Sequence, residues 1–200
     1  ASVDEVTCST EIETLKIIPS RVDLTGAEIE LVTKESREKV LKNSLTQVDD
    51  YEFVVIDCPP SLGLLTLNAF AVSNSVLIPM QCEYYALQGL GHLLKTLKLV
   101  KKSINPDLKV EGILLTMFDG RTLLATQVKD QVQKYFSDFL LKSVIPRNVR
   151  LSEAPSHGKP IMLYAGRSRG ADSYVELAKE IISRSKNDSR PKTPLTGSAA

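Results

Sequence analysis

The run FVVID, Phe53 to Asp57, sets a carboxylate directly after four strand-forming apolar residues, and CPPSLG follows it. An acid that closes a buried apolar strand is costly to desolvate unless it meets water, a cation or hydrogen-bond donors. Asp57 is therefore the first candidate for chemistry, and two roles suit it. One is a hard oxygen holding the water shell of Mg²⁺, an ion bound through one or two carboxylates together with substrate phosphates. The other is a cap for a helix opening in PPSLG, where an Asp side chain accepts from the free N–H groups of the first turn. The residues alone leave both roles open.

Other reactive types are sparse. His92 and His157 stand alone, without a nucleophile or second ligand at useful spacing. The three cysteines, Cys8, Cys58 and Cys82, have no metal-ligand spacing, and two of them adjoin apolar runs. That pattern suits buried thiols in a reducing compartment, the cytoplasm, rather than a disulfide framework. The 25 Lys and Arg against 24 Asp and Glu leave a net charge of +1, so any attraction to nucleic acid or membrane must come from a local patch. No apolar run reaches the ~18 residues of a membrane span.

The elements that must position Asp57 follow from periodicity. With 200 residues and 42% apolar content, the chain can bury a core of ordinary size. Near-continuous apolar runs predict strands at 15–18, 53–56, 76–78, 110–116 and 143–145, the pattern of a parallel sheet covered on both faces. Helical periods predict helices at 36–48, capped by Ser36, and at 62–72, 88–102, 125–136 and 173–185. In the third of these Leu90, Leu93, Leu94, Leu97 and Val100 share a face. Strands alternating with helices predict a doubly wound, mainly parallel α/β sheet with helices on both faces. Residues 1–186 form the predicted domain. The polar, aperiodic run NDSRPKTPLTGSAA, residues 187–200, is predicted to be a disordered tail. In such sheets ligands sit beyond the carboxyl ends of the strands, where Asp57 falls.

Four segments together resemble one family in order and spacing. They are TGAEIELV at Thr25–Val32, VVIDCPPSLGLLT, the QCEYYAL run at Gln81–Leu87, and VIPRNVRLSEAPSHGKPI at Val144–Ile161. They resemble the ParA/Soj-type, deviant-Walker chromosome-partitioning ATPases, with Asp57 in the Walker B region. The resemblance implies a P-loop NTPase-like fold, ATP and Mg²⁺ as cofactors, and Asp57 as a catalytic residue acting on Mg²⁺ through water. One departure is large. The only Gly-Lys pair, Gly158-Lys159, has Glu153 five residues before Gly158 and Pro160 after the lysine, so no Walker A pattern is present. The expectation is a C-terminal portion of such an ATPase, its N-terminal βαβ unit missing. Apolar surface left open and no ATP turnover by the chain alone are expected with it.

The resemblance also places Pro146, Asn148 and Met117 on the adenine side and the EYYAL segment near a dimer face. Core packing is the expected role of Tyr84 and Tyr85. An iron–sulfur role for Cys58 and Cys82, as in reductases of the same fold, is not expected. Lys95, Lys98 and Lys102 read as a solvated helix face. Arg121 in FDGRT and Arg150 in NVRLS match arginines that the family uses for sequence-independent DNA binding. The implied function is an ATP-dependent homodimer on nucleoid DNA, working with a centromere-binding ParB-like partner in partitioning of chromosomal or plasmid DNA. The alternatives are a MinD-like, membrane-associated division-site ATPase, or a non-catalytic DNA- or partner-binding domain. A MinD-like protein would end in a basic amphipathic helix, whereas this tail carries Pro191, Pro194 and Gly197, so no membrane partner is expected.

Overall fold

The computed structural model describes residues 3–45 and 51–186, which group into two units. Among them, the first comprises residues 3–45, 51–74 and 99–108, the second residues 75–98 and 109–186. In the first unit lie helix α1 (Val3–Val6), strands β1 (Cys8–Ser9) and β2 (Lys16–Ile17), and helices α2 (Leu24–Val32), α3 (Val40–Ser44) and α4 (Leu64–Val72). Helix α5 (Ala86–Ser103) follows strand β3 (Ser75–Gln81). Next come β4 (Lys109–Phe118), α6 (Leu123–Phe136), β5 (Leu140–Pro146), α7 (Val149–Glu153), α8 (Ile161–Ala165) and α9 (Arg169–Lys186).

The second unit holds the parallel sheet, in the order β3-β4-β5, with helices on both sides. β4 is central, and its run Gly112–Leu115 is buried, with Ile113 and Leu115 at 0% exposure. Burial on both faces explains why its sequence is apolar without alternation. Glu111 bulges out of the β3–β4 ladder, since Val76 pairs with Val110 and Leu77 with Gly112. A Cβ on Gly112 would meet the Leu141 side chain, which leaves glycine the residue that fits. Pro79 interrupts β3 at little cost because β3 is an edge strand among the described residues. Leu114, Leu141, Ile145 and Leu177 form a buried cluster, completed by Leu151 and Ile181.

Helix α9 is fixed to β5 by more than apolar contact. The Glu180 carboxylate accepts from the backbone N–H of Lys142 (3.0 Å), the N–H of Ser143 (2.8 Å) and the Ser143 hydroxyl (2.7 Å). Arg184 donates to it at 3.0 Å and also reaches the Glu111 carbonyl at 3.3 Å. Burial pushes the Glu180 carboxyl up, but those donors and the Arg184 charge outweigh burial and hold it below the ordinary carboxylate value.

In the first unit the buried Asn68 side chain does comparable work. Its Oδ1 accepts from the Leu41 N–H at 3.0 Å, while Nδ2 donates to the carbonyls of Arg37 (2.8 Å) and Leu64 (2.9 Å). Asn105 Nδ2 likewise serves the last carbonyls of α4, at Phe70 (2.9 Å) and Ser73 (2.8 Å).

The structure corrects several expectations. The predicted strand at 15–18 shrinks to β2, which pairs antiparallel with β1 outside the parallel sheet. The run 53–56 forms no ladder among the described residues, and Phe53, Val54 and Val55 are exposed, Val55 to 89%. A strand is defined by its hydrogen-bonded neighbour, which composition cannot supply. Ser36 does not cap a helix. It stands at φ 51° before a 3₁₀ turn (Arg37–Lys39) and the short α3, and makes no side-chain cap bond. The rest of that predicted helix, like the tail at 187–200, lies outside the described residues.

Candidate functional site

At the carboxyl edge of β4 and β5 two loops carry most of the residues singled out by sequence. In the first, FDGRT ends β4 and starts α6. Asp119 Oδ1 accepts the Arg121 backbone N–H at 3.1 Å, an Asx turn, and the Thr122 N–H donates to the Asp119 carbonyl at 3.1 Å. Thr122 then caps α6, its Oγ1 accepting from Ala125 at 3.3 Å. In the second, PRNVRLSE ends β5 and starts α7, with Asn148 Oδ1 accepting from the Arg150 N–H at 2.9 Å as the cap. The Arg147 N–H donates to the Phe118 carbonyl at 3.0 Å and ties the loops together.

The structure thus brings Met117, Arg121, Pro146, Asn148 and Arg150 to the adjacent ends of β4 and β5 and the loops and helix start that follow them, within one unit. Pro146 stands opposite Phe118 in the ladder, and the register slips between Leu115 and Phe118. Met117 sits in that irregularity with φ 49°, a left-handed conformation uncommon for a residue with a side chain. Its side chain is 41% exposed, so it is not a core sulfur. Asn148 keeps its amide Nδ2 as a donor while Oδ1 serves as a cap.

Both arginines reach solvent, and both already hold a carboxylate. Arg121, 88% exposed, grips Asp119 with Nε to Oδ1 at 2.8 Å and Nη2 to Oδ2 at 2.6 Å. Its hydrogen bonds hold the Asp119 carboxyl down to about 2. Arg150 Nη1 lies 2.8 Å from Glu153 Oε2, which also accepts from the Tyr164 hydroxyl at 3.0 Å. Arg150 and then Tyr164 hold the Glu153 carboxyl below its ordinary value. The signals for these pairs, Asp-x-Arg and Arg-x-x-Glu, are present in the sequence but went unread. The second is the i,i+3 spacing that faces on a helix.

Asp57 belongs to the first unit and is exposed. It does not cap α4, whose N-cap is Gly63 without a side-chain bond. Glu28, from TGAEIELV, approaches that helix start instead, its Oε1 3.4 Å from the Leu65 N–H. Among the described residues no group of three or more His, Cys, Asp or Glu could hold a metal. Asp57 by itself offers a single carboxylate, and an Mg²⁺ site needs further oxygens, from water or phosphates.

Cys82 is buried, Cys58 half-buried and Cys8 exposed, all as free thiols. Burial, and then the Asp57 charge, push the Cys58 thiol up. Tyr84 and Tyr85 overturn the expected core role. They are 76% and 72% exposed, in an edge-to-face pair with ring centroids 5.0 Å apart. Lys95, Lys98 and Lys102 face solvent as expected. No helix among the described residues is long and apolar enough to cross a membrane.

A parallel sheet covered by helices, with polar loops gathered at its carboxyl edge, defines an α/β fold of the P-loop NTPase type. A family model described as an AAA domain matches residues 1–110. The chain is 59% identical over 182 residues to the sporulation initiation inhibitor protein Soj of Bacillus subtilis, covering 90% of this chain and 72% of the relative. It is 52% identical over 193 residues to the chromosome partitioning protein ParA of Myxococcus xanthus, covering 96% of this chain and 67% of that protein. Among solved structures, cobyrinic acid a,c-diamide synthase from Mycobacterium smegmatis, with bound ADP and magnesium, superposes with a TM-score of 0.77 at 34% identity. The match covers 95% of this chain and 70% of that one. The chain belongs to the Soj/ParA family of chromosome-partitioning ATPases.

Proposed function

We propose that the intact protein hydrolyses ATP to control its own dimerisation, and that the dimer binds DNA without regard to sequence and partitions it with a centromere-binding, ParB-like partner. The protein would then work in the cytoplasm, on the nucleoid. The observation that carries this reading is the pair of exposed arginines on adjacent loops, Arg121 and Arg150, in a member of this family. Arginine suits contact with phosphate because its planar donors match phosphate oxygens and stay charged at any cellular pH. Such contacts fix position without reading bases.

Asp57 is the proposed Mg²⁺-side carboxylate, acting through water, and Met117, Pro146 and Asn148 the proposed base-side edge. Met117, Pro146 and Asn148 are supported by positions at or beyond the ends of β4 and β5 and, for Asn148, by a donor left over after capping, while Asp57 rests on the resemblance of VVIDCPPSLG to the family's Walker B region. Family members hydrolyse ATP by positioning phosphates and offsetting developing charge rather than by covalent chemistry.

The test is a salt titration of the intact protein, Arg121→Ala and Arg150→Ala on two unrelated duplexes with ATP present. Each lost phosphate contact should lower the magnitude of the log-affinity slope by about 0.9, so a dimer losing one arginine per subunit should lose roughly two units. Affinity should fall about equally for both duplexes. Unchanged affinity and slope in both variants would place the DNA surface elsewhere.

A further inference from the structure

The two arginines offered to DNA are not free cations. Arg121 is held side-on by both oxygens of Asp119, and Arg150 is held by Glu153. Taken with the exposed Arg147, the loops carry three arginines and two carboxylates, which leaves +1 rather than +3. Each carboxylate is itself anchored. Asp119 also accepts the Arg121 backbone N–H, and Glu153 also accepts the Tyr164 hydroxyl, so neither drifts away when an anion approaches.

An incoming phosphate must therefore either displace the carboxylate from the guanidinium or sit beside it as a second negative charge. Both routes weaken the contact. A paired arginine also neutralises less phosphate charge and so displaces fewer of the cations condensed on DNA, whose release supplies much of the affinity for a polyanion.

We propose that Asp119 and Glu153 are built-in competitors that hold down the affinity of this surface for DNA by occupying Arg121 and Arg150. This rests on the reading that those arginines meet DNA phosphates. The consequence is a surface that binds DNA weakly per site, releases it readily, and gains most from having several sites engaged at once.

The experiment compares the intact protein with Asp119→Asn, Glu153→Gln, Arg121→Ala and Arg150→Ala on the same two duplexes, with ATP, between about 50 and about 200 mM salt. Asp119→Asn keeps one oxygen for the Arg121 backbone N–H and Nε and removes the charge, giving up only the contact of Nη2, so most of the orientation is kept while the repulsion is removed. A freed cation should steepen the slope by up to about 0.9 per site, equivalent to a gain of up to about 15-fold at about 50 mM salt. At least a threefold gain from each carboxylate variant, on both duplexes and shrinking with salt, is the expected result. Circular dichroism and the thermal midpoint verify that each variant is folded.

If the arginine variants lose affinity while both carboxylate variants stay within twofold of the parent, the competition is refuted and the DNA reading survives. If the carboxylate variants weaken binding as the arginine variants do, Asp119 and Glu153 orient the arginines and the proposal is wrong. If the arginine variants bind like the parent, the DNA reading fails and takes the proposal with it.

Discussion

Glu180 offers a quantitative check on how β5 is held. Its carboxylate receives four donors, from the Lys142 and Ser143 backbones, the Ser143 hydroxyl and Arg184, and its side chain is 13% exposed. Glu180→Ala strips partners from two edge N–H groups and leaves Arg184 without its carboxylate. Hydrogen bonds to charged groups contribute about 1.5–3 kcal/mol each when buried. Lys142 is exposed and Ser143 only half-buried, so water replaces part of the loss, and the expected cost is about 2–4 kcal/mol. Glu180→Gln keeps one acceptor oxygen but turns an amide NH₂ toward other donors, for about 1–2 kcal/mol.

The pH dependence has a definite sign. The folded carboxyl titrates below its ordinary 4.5, so its stabilisation is complete above that value and disappears as pH falls through the folded one. Urea unfolding followed by circular dichroism should show the gap between parent and Glu180→Gln at about pH 7 narrowing below about pH 4.5, with an unchanged m-value. A Glu180→Ala variant within about 0.5 kcal/mol of the parent would mean that water or packing, not this carboxylate, holds α9 to β5.

Asn68→Ala should destabilise the first unit by about 2–3 kcal/mol, since it leaves the Leu41 N–H and the Arg37 and Leu64 carbonyls without their side-chain partner; chemical denaturation measures it. Met117→Gly should be neutral or stabilising by up to about 1 kcal/mol, because glycine adopts φ 49° freely, whereas Met117→Val should unfold at lower temperature. The 200-residue chain carries no Walker A pattern, so calorimetry with Mg²⁺ and ATP should show no binding in the micromolar range. In the intact protein, Asp57→Ala should reduce hydrolysis strongly with little change in the thermal midpoint, because Asp57 is exposed.

The sequence determined the elements whose signals are local. Each predicted strand core at 76–78, 110–116 and 143–145 lies inside β3, β4 or β5; β4, buried along Gly112–Leu115, is apolar there because both of its faces are covered. The helices α4, α5, α6 and α9 appeared within a few residues of their bounds, because their apolar positions recur with the helical period. The family too was legible, in four segments matched in order. Tertiary structure decided what depends on a neighbour. Phe53–Ile56 has the composition of a strand yet pairs with nothing described, since a ladder needs a second backbone at hydrogen-bonding distance. Tyr84 and Tyr85 read as core and stand in solvent, because an aromatic residue records hydrophobicity but not whether anything covers it. Arg121 and Arg150 read as DNA-contacting arginines, and each is also held by a carboxylate, because charge is a property of the sequence whereas pairing is a matter of angstroms that only the folded loops set.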